Sequence, residues 1–190
     1  MRKPIVLAFA GPNGSGKTTL TRNHPTVSHP IVGTYVNADD LKKEHGCTEL
    51  EAAQQAEALR TRLLDRGADF SFETVLSTER NLLLLQKAKE RGYEVQCIYV
   101  LTCDENLNVA RVLARHTAGG HGVPADKVRA RYHRALALLP RLVETCDKML
   151  VYDNTDRPVL LFSKENGRTE MFPSVHWPKS SLQKLFEVGG

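Results

Sequence analysis

The chain has 190 residues, 41% hydrophobic and 25% charged, with 26 basic and 22 acidic side chains and a net charge of +4. That length carries one substantial core in one domain, and the composition is ordinary for a soluble globular protein. The mild basicity suits an anionic small molecule without demonstrating nucleic-acid binding, and no apolar run approaches the roughly 18 residues of a membrane helix.

Taken in order, Pro4–Ala10 reads as a buried parallel strand, because its apolar run is continuous and ends at a Gly-Pro turn. Arg2-Lys3 before this run resembles the beginning of a signal peptide, but the run breaks at Gly11-Pro12 and lacks a convincing processing site. A helix over 16–23 ends at His24-Pro25. Thr34–Asn37 is a short strand, followed by Ala38-Asp39-Asp40-Leu41. Thr48–Arg66 has helical apolar spacing and stops at Gly67. Asp69–Glu73 is a strand ending on an acid, Thr78–Arg91 a helix stopped by Gly92, Tyr93–Thr102 a strongly apolar strand, and Asp104–His116 a helix. A glycine-rich turn through Gly119–Gly122 precedes a long basic helix from Pro124 to about Thr145, divided or kinked at Pro140. Met149–Asp153 is a strand, Pro158–Ser163 and Arg168–Phe172 form a hairpin about Lys164–Gly167, and a short helix begins near Lys179. Alternating strands and helices predict an α/β sandwich with a mainly parallel sheet. Nothing marks a domain linker or repeat. Cys47, Cys97, Cys103 and Cys146 are scattered without a C-x-x-C pair, which predicts free buried thiols in a reducing cytoplasm and gives no metal-ligand spacing.

Gly11, Pro12, Asn13, Gly14, Ser15, Gly16, Lys17, Thr18 and Thr19 fit Gly, any four residues, Gly-Lys-Thr, between a strand and a helix. Glycines let backbone N–H groups converge on phosphate, and the following helix presents its positive end to the same charges. Lys17 is then the residue for the β/γ-phosphates and Thr18 the hydroxyl for Mg²⁺, so a nucleoside triphosphate with Mg²⁺ is the expected cofactor. Asp39, Asp40 and Glu73 each follow or end a strand and belong at the sheet edge where this loop opens, as do Asp104 and Asp153. Asp40 and Asp104 are open between helix capping and a place in the cleft. Arg111 and Arg115 share a helical face beside the glycine-rich turn, as a phosphoryl-contacting lid or as a solvated basic face. The basic helix holding Lys127, Arg129, Arg131, Arg134 and Arg141 also carries Val128, Tyr132, Leu136 and Leu139, so core packing accounts for it.

Gly11–Thr19, Asn37–Leu41, Phe72-Glu73-Thr74, Arg111 through Pro124, Arg131-Tyr132 and Asp153-Asn154-Thr155 occur in the order seen in zeta-toxin-like kinases, and over residues 4–156 the chain resembles the short bacterial zeta-toxin-domain ATPases. The resemblance implies a kinase that uses ATP–Mg²⁺, held by Lys17 and Thr18, to phosphorylate the 3′-hydroxyl of UDP-N-acetylglucosamine. It implies Asp39 as the base for the acceptor hydroxyl, and Glu73 as an acceptor contact beside Thr74. Arg111 or Arg115 matches the family's first phosphate-binding arginine. Where the family has a second lid arginine, this chain has His121, which stands as a further candidate substrate contact. An antitoxin partner is implied by resemblance alone. The residues leave two other readings open. One is a polynucleotide or nucleoside kinase, for which the basic helix has too few interleaved aromatics to stack bases. The other is a nucleotide-dependent ATPase without an acceptor.

Overall fold

The computed structural model describes residues 2–23, 31–117 and 122–187. Strand β1 (Ile5–Ala10) is buried from Val6 onward. A strand apolar on both faces belongs in the middle of a covered sheet, and β1 pairs in parallel with β3 (Phe70–Thr74) on one side and β4 (Glu94–Leu101) on the other. Strand β2 (Thr34–Val36) lies outside β3, and β5 (Lys148–Asp153) outside β4, both parallel. Two antiparallel strands, β6 (Val159–Glu165) and β7 (Arg168–Met171), complete a sheet of order β2-β3-β1-β4-β5-β6-β7. The α/β class and the mainly parallel sheet agree with the pattern of alternation.

The helices are α1 (Lys17–Asn23), α2 (Ala38–His45), α3 (Glu49–Asp65), α4 (Glu79–Glu90), α5 (Glu105–Thr117), α6 (Ala125–Ala137), α7 (Leu139–Thr145) and α8 (Lys179–Phe186). Successive side chains of β1 serve opposite layers. Val6, Ala8 and Ala10 join the larger core, with Leu82 and Leu85 of α4, Leu139 and Leu142 of α7, and Phe186 of α8. Leu7 and Phe9 join the smaller one, with Leu20 of α1 and Ile98 of β4. Among the described residues no helix is long and apolar enough to cross a membrane.

Three details depart from or refine the sequence reading. The strand expected over Thr34–Asn37 stops at Val36, because Asn37 turns out to cap α2: its side chain accepts the Asp39 N–H at 2.8 Å. Helix α2 buries no residue fully; Ala38 and Leu41 are half-buried against the larger core. The long basic helix divides at Leu138, with Pro140 in the first turn of α7, where its missing N–H costs nothing. The hairpin turns on Asn166 and Gly167, with φ of 52° and 75°. These two left-handed residues match the twist of the flanking strands, and β6 then pairs with β5, so the hairpin extends the main sheet. All four cysteines are free, Cys97 and Cys146 buried and the other two half-buried.

Helix α3 begins with a reciprocal cap in which Thr48 and Glu51 satisfy each other's backbone N–H groups. Thr48→Ala removes that cap and is expected to lower stability by about 1 kcal/mol. Urea unfolding should show a lower midpoint with an unchanged slope; an unmoved midpoint contradicts the role.

Candidate active site

The loop leaving β1 is shaped by glycines at places no other residue fits. Gly11 has φ of 136°, and a Cβ there would lie 1.9 Å from the Val100 carbonyl oxygen of β4. At Gly16, with φ of 88°, a Cβ would lie 2.3 Å from Asn154 Nδ2. Both the backbone conformation and the closeness of approach demand glycine. The loop is braced from behind: Asn108 on α5 donates to the Asn13 carbonyl at 2.6 Å, and Asn154, just past β5, donates to the Ser15 carbonyl at 2.8 Å. Asp153 is buried and accepts the Thr155 N–H at 3.0 Å, which turns the chain so that Asn154 faces the loop. The Ser15 hydroxyl is buried without a hydrogen-bond partner among the described residues.

Lys17 opens α1 and donates through Nζ to the Gly11 and Pro12 carbonyls at 2.8 and 3.0 Å. Burial pushes its ammonium down to about 8; Glu73 and Asp39 work against that shift, and Arg115 adds to it. The next residue, Thr18, is exposed and donates to Glu73 Oε2 at 3.0 Å. Glu73, near the end of β3 and opposite Phe9 in the β1 register, also accepts from the Tyr35 hydroxyl at 2.7 Å. Asn37 in turn donates to the Tyr35 oxygen at 3.2 Å.

Lys17, Thr18, Asn37 and Glu73 line a cleft of about 430 Å³, bounded by the loop, the start of α2, the end of β3 and one face of α5; Tyr35 stands behind Glu73 and does not line it. Asp39, Glu73, Thr74, Arg111 and Arg115 all line it. Thr74 is buried and its Oγ1 accepts from the Leu76 N–H and from Asn81, so it shapes the wall. Asp40 does not line the cleft and is not the cap of α2, a place taken by Asn37; it sits in the first turn, where a carboxylate suits the helix dipole. Asp104 does cap α5, accepting the Asn106 N–H at 2.8 Å. His121 lies outside the described residues.

The two arginines of α5 differ. Arg111 donates to the Asn154 and Thr155 carbonyls at 2.9 and 2.8 Å and so anchors α5 to the end of β5. Arg115, one turn on, is exposed at the cleft and close enough to Lys17 to affect its charge. The basic face of α6 and α7 is engaged within the fold: Arg129 on Asn106, Arg131 toward Asn13, Arg134 on the Ser77 carbonyl and Arg141 on Glu79. The residues that sequence reasoning did not single out are Tyr35 and Asn108. Neither belongs to a local pattern, and each acts across a gap of 38 or 95 positions.

A mainly parallel sheet whose central strand runs into a glycine cradle, with a lysine and a hydroxyl opening the next helix and carboxylates from β3 and α2 on the same cleft, defines a P-loop phosphotransferase. The zeta toxin family model matches residues 1–166, and the chain belongs to that family. An uncharacterised protein of Haemophilus influenzae is 29% identical over 125 residues, which make up 65% of this chain and 89% of that protein. The fold is shared with a chain of the PezAT chromosomal toxin–antitoxin system of Streptococcus pneumoniae, at a TM-score of 0.63 and 23% identity, covering 98% of this chain and 79% of that one. It is shared as well with the AvrRxo1-ORF1:-ORF2 structure determined with ATP, at a TM-score of 0.68 and 18% identity; 89% of this chain is covered, and only 60% of that one.

The depressed Lys17 ammonium gives the stability a pH dependence. A lysine titrates near 10.5 when unperturbed and near 8 in the folded protein, so between those values the unfolded chain holds more protons and stability rises with pH. The penalty for burying the charge is complete below about 8 and is relieved toward 10.5. Lys17→Met should lack this gain when urea unfolding is compared at the two ends of that window. Parallel pH slopes for the two proteins refute it.

Proposed function

We propose that this protein is an ATP-dependent kinase that transfers the γ-phosphate to a hydroxyl of a small anionic acceptor, with UDP-N-acetylglucosamine as the candidate acceptor. The observation that carries the reading is the placement of Asp39 and Glu73 on the same cleft as Lys17, Thr18 and Arg115. A nucleotide switch needs no second set of side chains facing the phosphate loop; a transferase needs them to receive a substrate. The glycine cradle, with backbone too close to β4 and Asn154 to admit a Cβ, fits a polyphosphate. The adjoining ammonium and exposed hydroxyl fit ATP with Mg²⁺. When bound, ATP–Mg²⁺ supplies the transferable phosphoryl group and part of the charge neutralisation.

The remaining roles belong to the chain. The Gly11–Thr19 backbone would orient the phosphates, and the Lys17 ammonium, held here by the Gly11 and Pro12 carbonyls, would be their charged partner. Thr18, whose hydroxyl donates to Glu73 here, would be the residue to hold the metal. Asp39, exposed at the cleft in the first turn of α2, takes the proton from the acceptor hydroxyl. Glu73 meets the body of the acceptor, with Thr74 shaping the wall behind it. Arg115 meets the charge on the transferring group, while Arg111 holds α5 in place through the Asn154 and Thr155 carbonyls just past β5. The engaged arginines of α6 and α7 weigh against a track for a nucleic-acid backbone. The likeness to a toxin–antitoxin system supports a neutralising protein as the macromolecular partner, testable by co-purification.

Radiolabelled γ-phosphate transfer, screened over nucleotide sugars, nucleosides, dinucleotides and oligonucleotides, tests the reading. Transfer to UDP-N-acetylglucosamine supports it; ATP turnover with no labelled acceptor replaces it with an ATPase. Within the kinase, Asp39→Asn should slow single-turnover transfer by about 10²–10⁴-fold while ATP still binds. Wild-type transfer by that variant moves the base elsewhere. Arg115→Ala should lower kcat more than ATP affinity, since it meets charge that develops during transfer, whereas Arg111→Ala should cost stability first. The opposite pattern in kinetics and urea unfolding exchanges the two roles.

A further inference from the structure

We propose that Tyr35 is a positioning residue for Glu73 in the acceptor cleft, and that Asn37 links this contact to the start of the helix carrying Asp39. The inference rests on the kinase reading above, in which Glu73 meets the acceptor and Asp39 its hydroxyl.

Tyr35 lies on the edge strand β2, opposite Ser71 in the parallel register, with Glu73 two residues further along β3. A diagonal neighbour on the same face is within reach of a long aromatic side chain. The ring packs edge-on against Phe9, with centroids 6.3 Å apart and planes at 66°. Phe9 stands directly across from Glu73 on β1, so all three side chains share one face of the sheet. The hydroxyl donates to Glu73 Oε1 at 2.7 Å, and Thr18 donates to Oε2 at 3.0 Å. Each carboxylate oxygen thus has its own donor, which fixes both the position and the rotation of the group. Thr18 is the hydroxyl assigned to the metal. Were it engaged there, the Tyr35 hydroxyl would be the hydrogen-bond donor among the described residues that still orients Glu73.

Packing alone does not account for this arrangement. The contact with Phe9 needs only a ring, and phenylalanine would supply it. The hydroxyl is committed on both sides: it donates to Glu73 and accepts from Asn37 Nδ2 at 3.2 Å. The same Asn37 amide accepts the Asp39 N–H through its Oδ1 at 2.8 Å. One amide and one phenol therefore fix the Asp39 backbone relative to the Glu73 carboxylate. An acceptor that must present its hydroxyl to one acid while its body rests against the other requires this spacing to be held.

The first experiment uses no ligand. Urea unfolding of wild type, Tyr35→Phe, Glu73→Ala and the double variant forms a double-mutant cycle. A hydrogen bond to a charged group predicts coupling of about ten-fold in the unfolding equilibrium constant. Additive effects of the two substitutions overturn the proposal whatever the acceptor. The second experiment measures γ-phosphate transfer to UDP-N-acetylglucosamine. Tyr35→Phe should raise the KM for that acceptor about ten-fold, leave the KM for ATP unchanged, and add nothing in the Glu73→Ala background. An unchanged acceptor KM, or an equal loss in both backgrounds, also overturns it. If the wild type transfers nothing to UDP-N-acetylglucosamine, the choice of acceptor falls, and the unfolding cycle still decides the clamp.

Discussion

The closeness of Gly11 to the Val100 carbonyl governs the site. Phosphate is best held by backbone N–H groups that converge, and convergence requires a loop drawn tightly against the sheet. Here the approach leaves no room for a Cβ at Gly11 or Gly16. The central position of β1 follows from the same requirement: buried between β3 and β4, it delivers the loop to the middle of the sheet edge, where the ends of the neighbouring strands can supply side chains on either side. Glu73 comes from one neighbour, and the braces on α5 and beyond β5 come from the other direction.

Electrostatics of the cleft balances around Lys17. Its ammonium is held off water against two loop carbonyls, with Glu73 and Asp39 favouring the charge and Arg115 opposing it. A polyphosphate entering the cradle reverses the burial penalty by supplying negative charge at close range. Asp39 and Glu73, on the same cleft, thus bear on the phosphate loop as well, because they keep the lysine nearer its charged form.

Much of this was legible in the sequence because its signals are local. The apolar run of β1, the glycine loop, and helix stops at Gly67 and Gly92, with φ of 63° and 84°, each declare themselves within a few residues. Asp39 and Glu73 could be placed at the loop's edge from strand order alone. Helix α2 was legible only as a possible helix after Asp40, since it is short and only Ala38 and Leu41, half-buried, pack against the core. The cap was not legible, because Asn37 reads equally well as the last residue of a strand. Arg111 and Arg115 share a face in sequence; what separates them is the position of the Asn154 and Thr155 carbonyls, a tertiary fact. Tyr35 resembles any aromatic on an edge strand until its partner is known.

The braces behind the phosphate loop also bear on the order in which the molecule is built. The Ser15 contact with Asn154 spans 139 positions, that of Asn13 with Arg131 spans 118, and that of Asn13 with Asn108 spans 95. Closing such long loops is entropically expensive and late in folding. The motif near the start of the chain therefore has its full bracing only once β5 is in place, and a fragment that ends before Asn154 carries the motif without the brace on Ser15. Competence to bind phosphate becomes a report that the whole sheet has assembled.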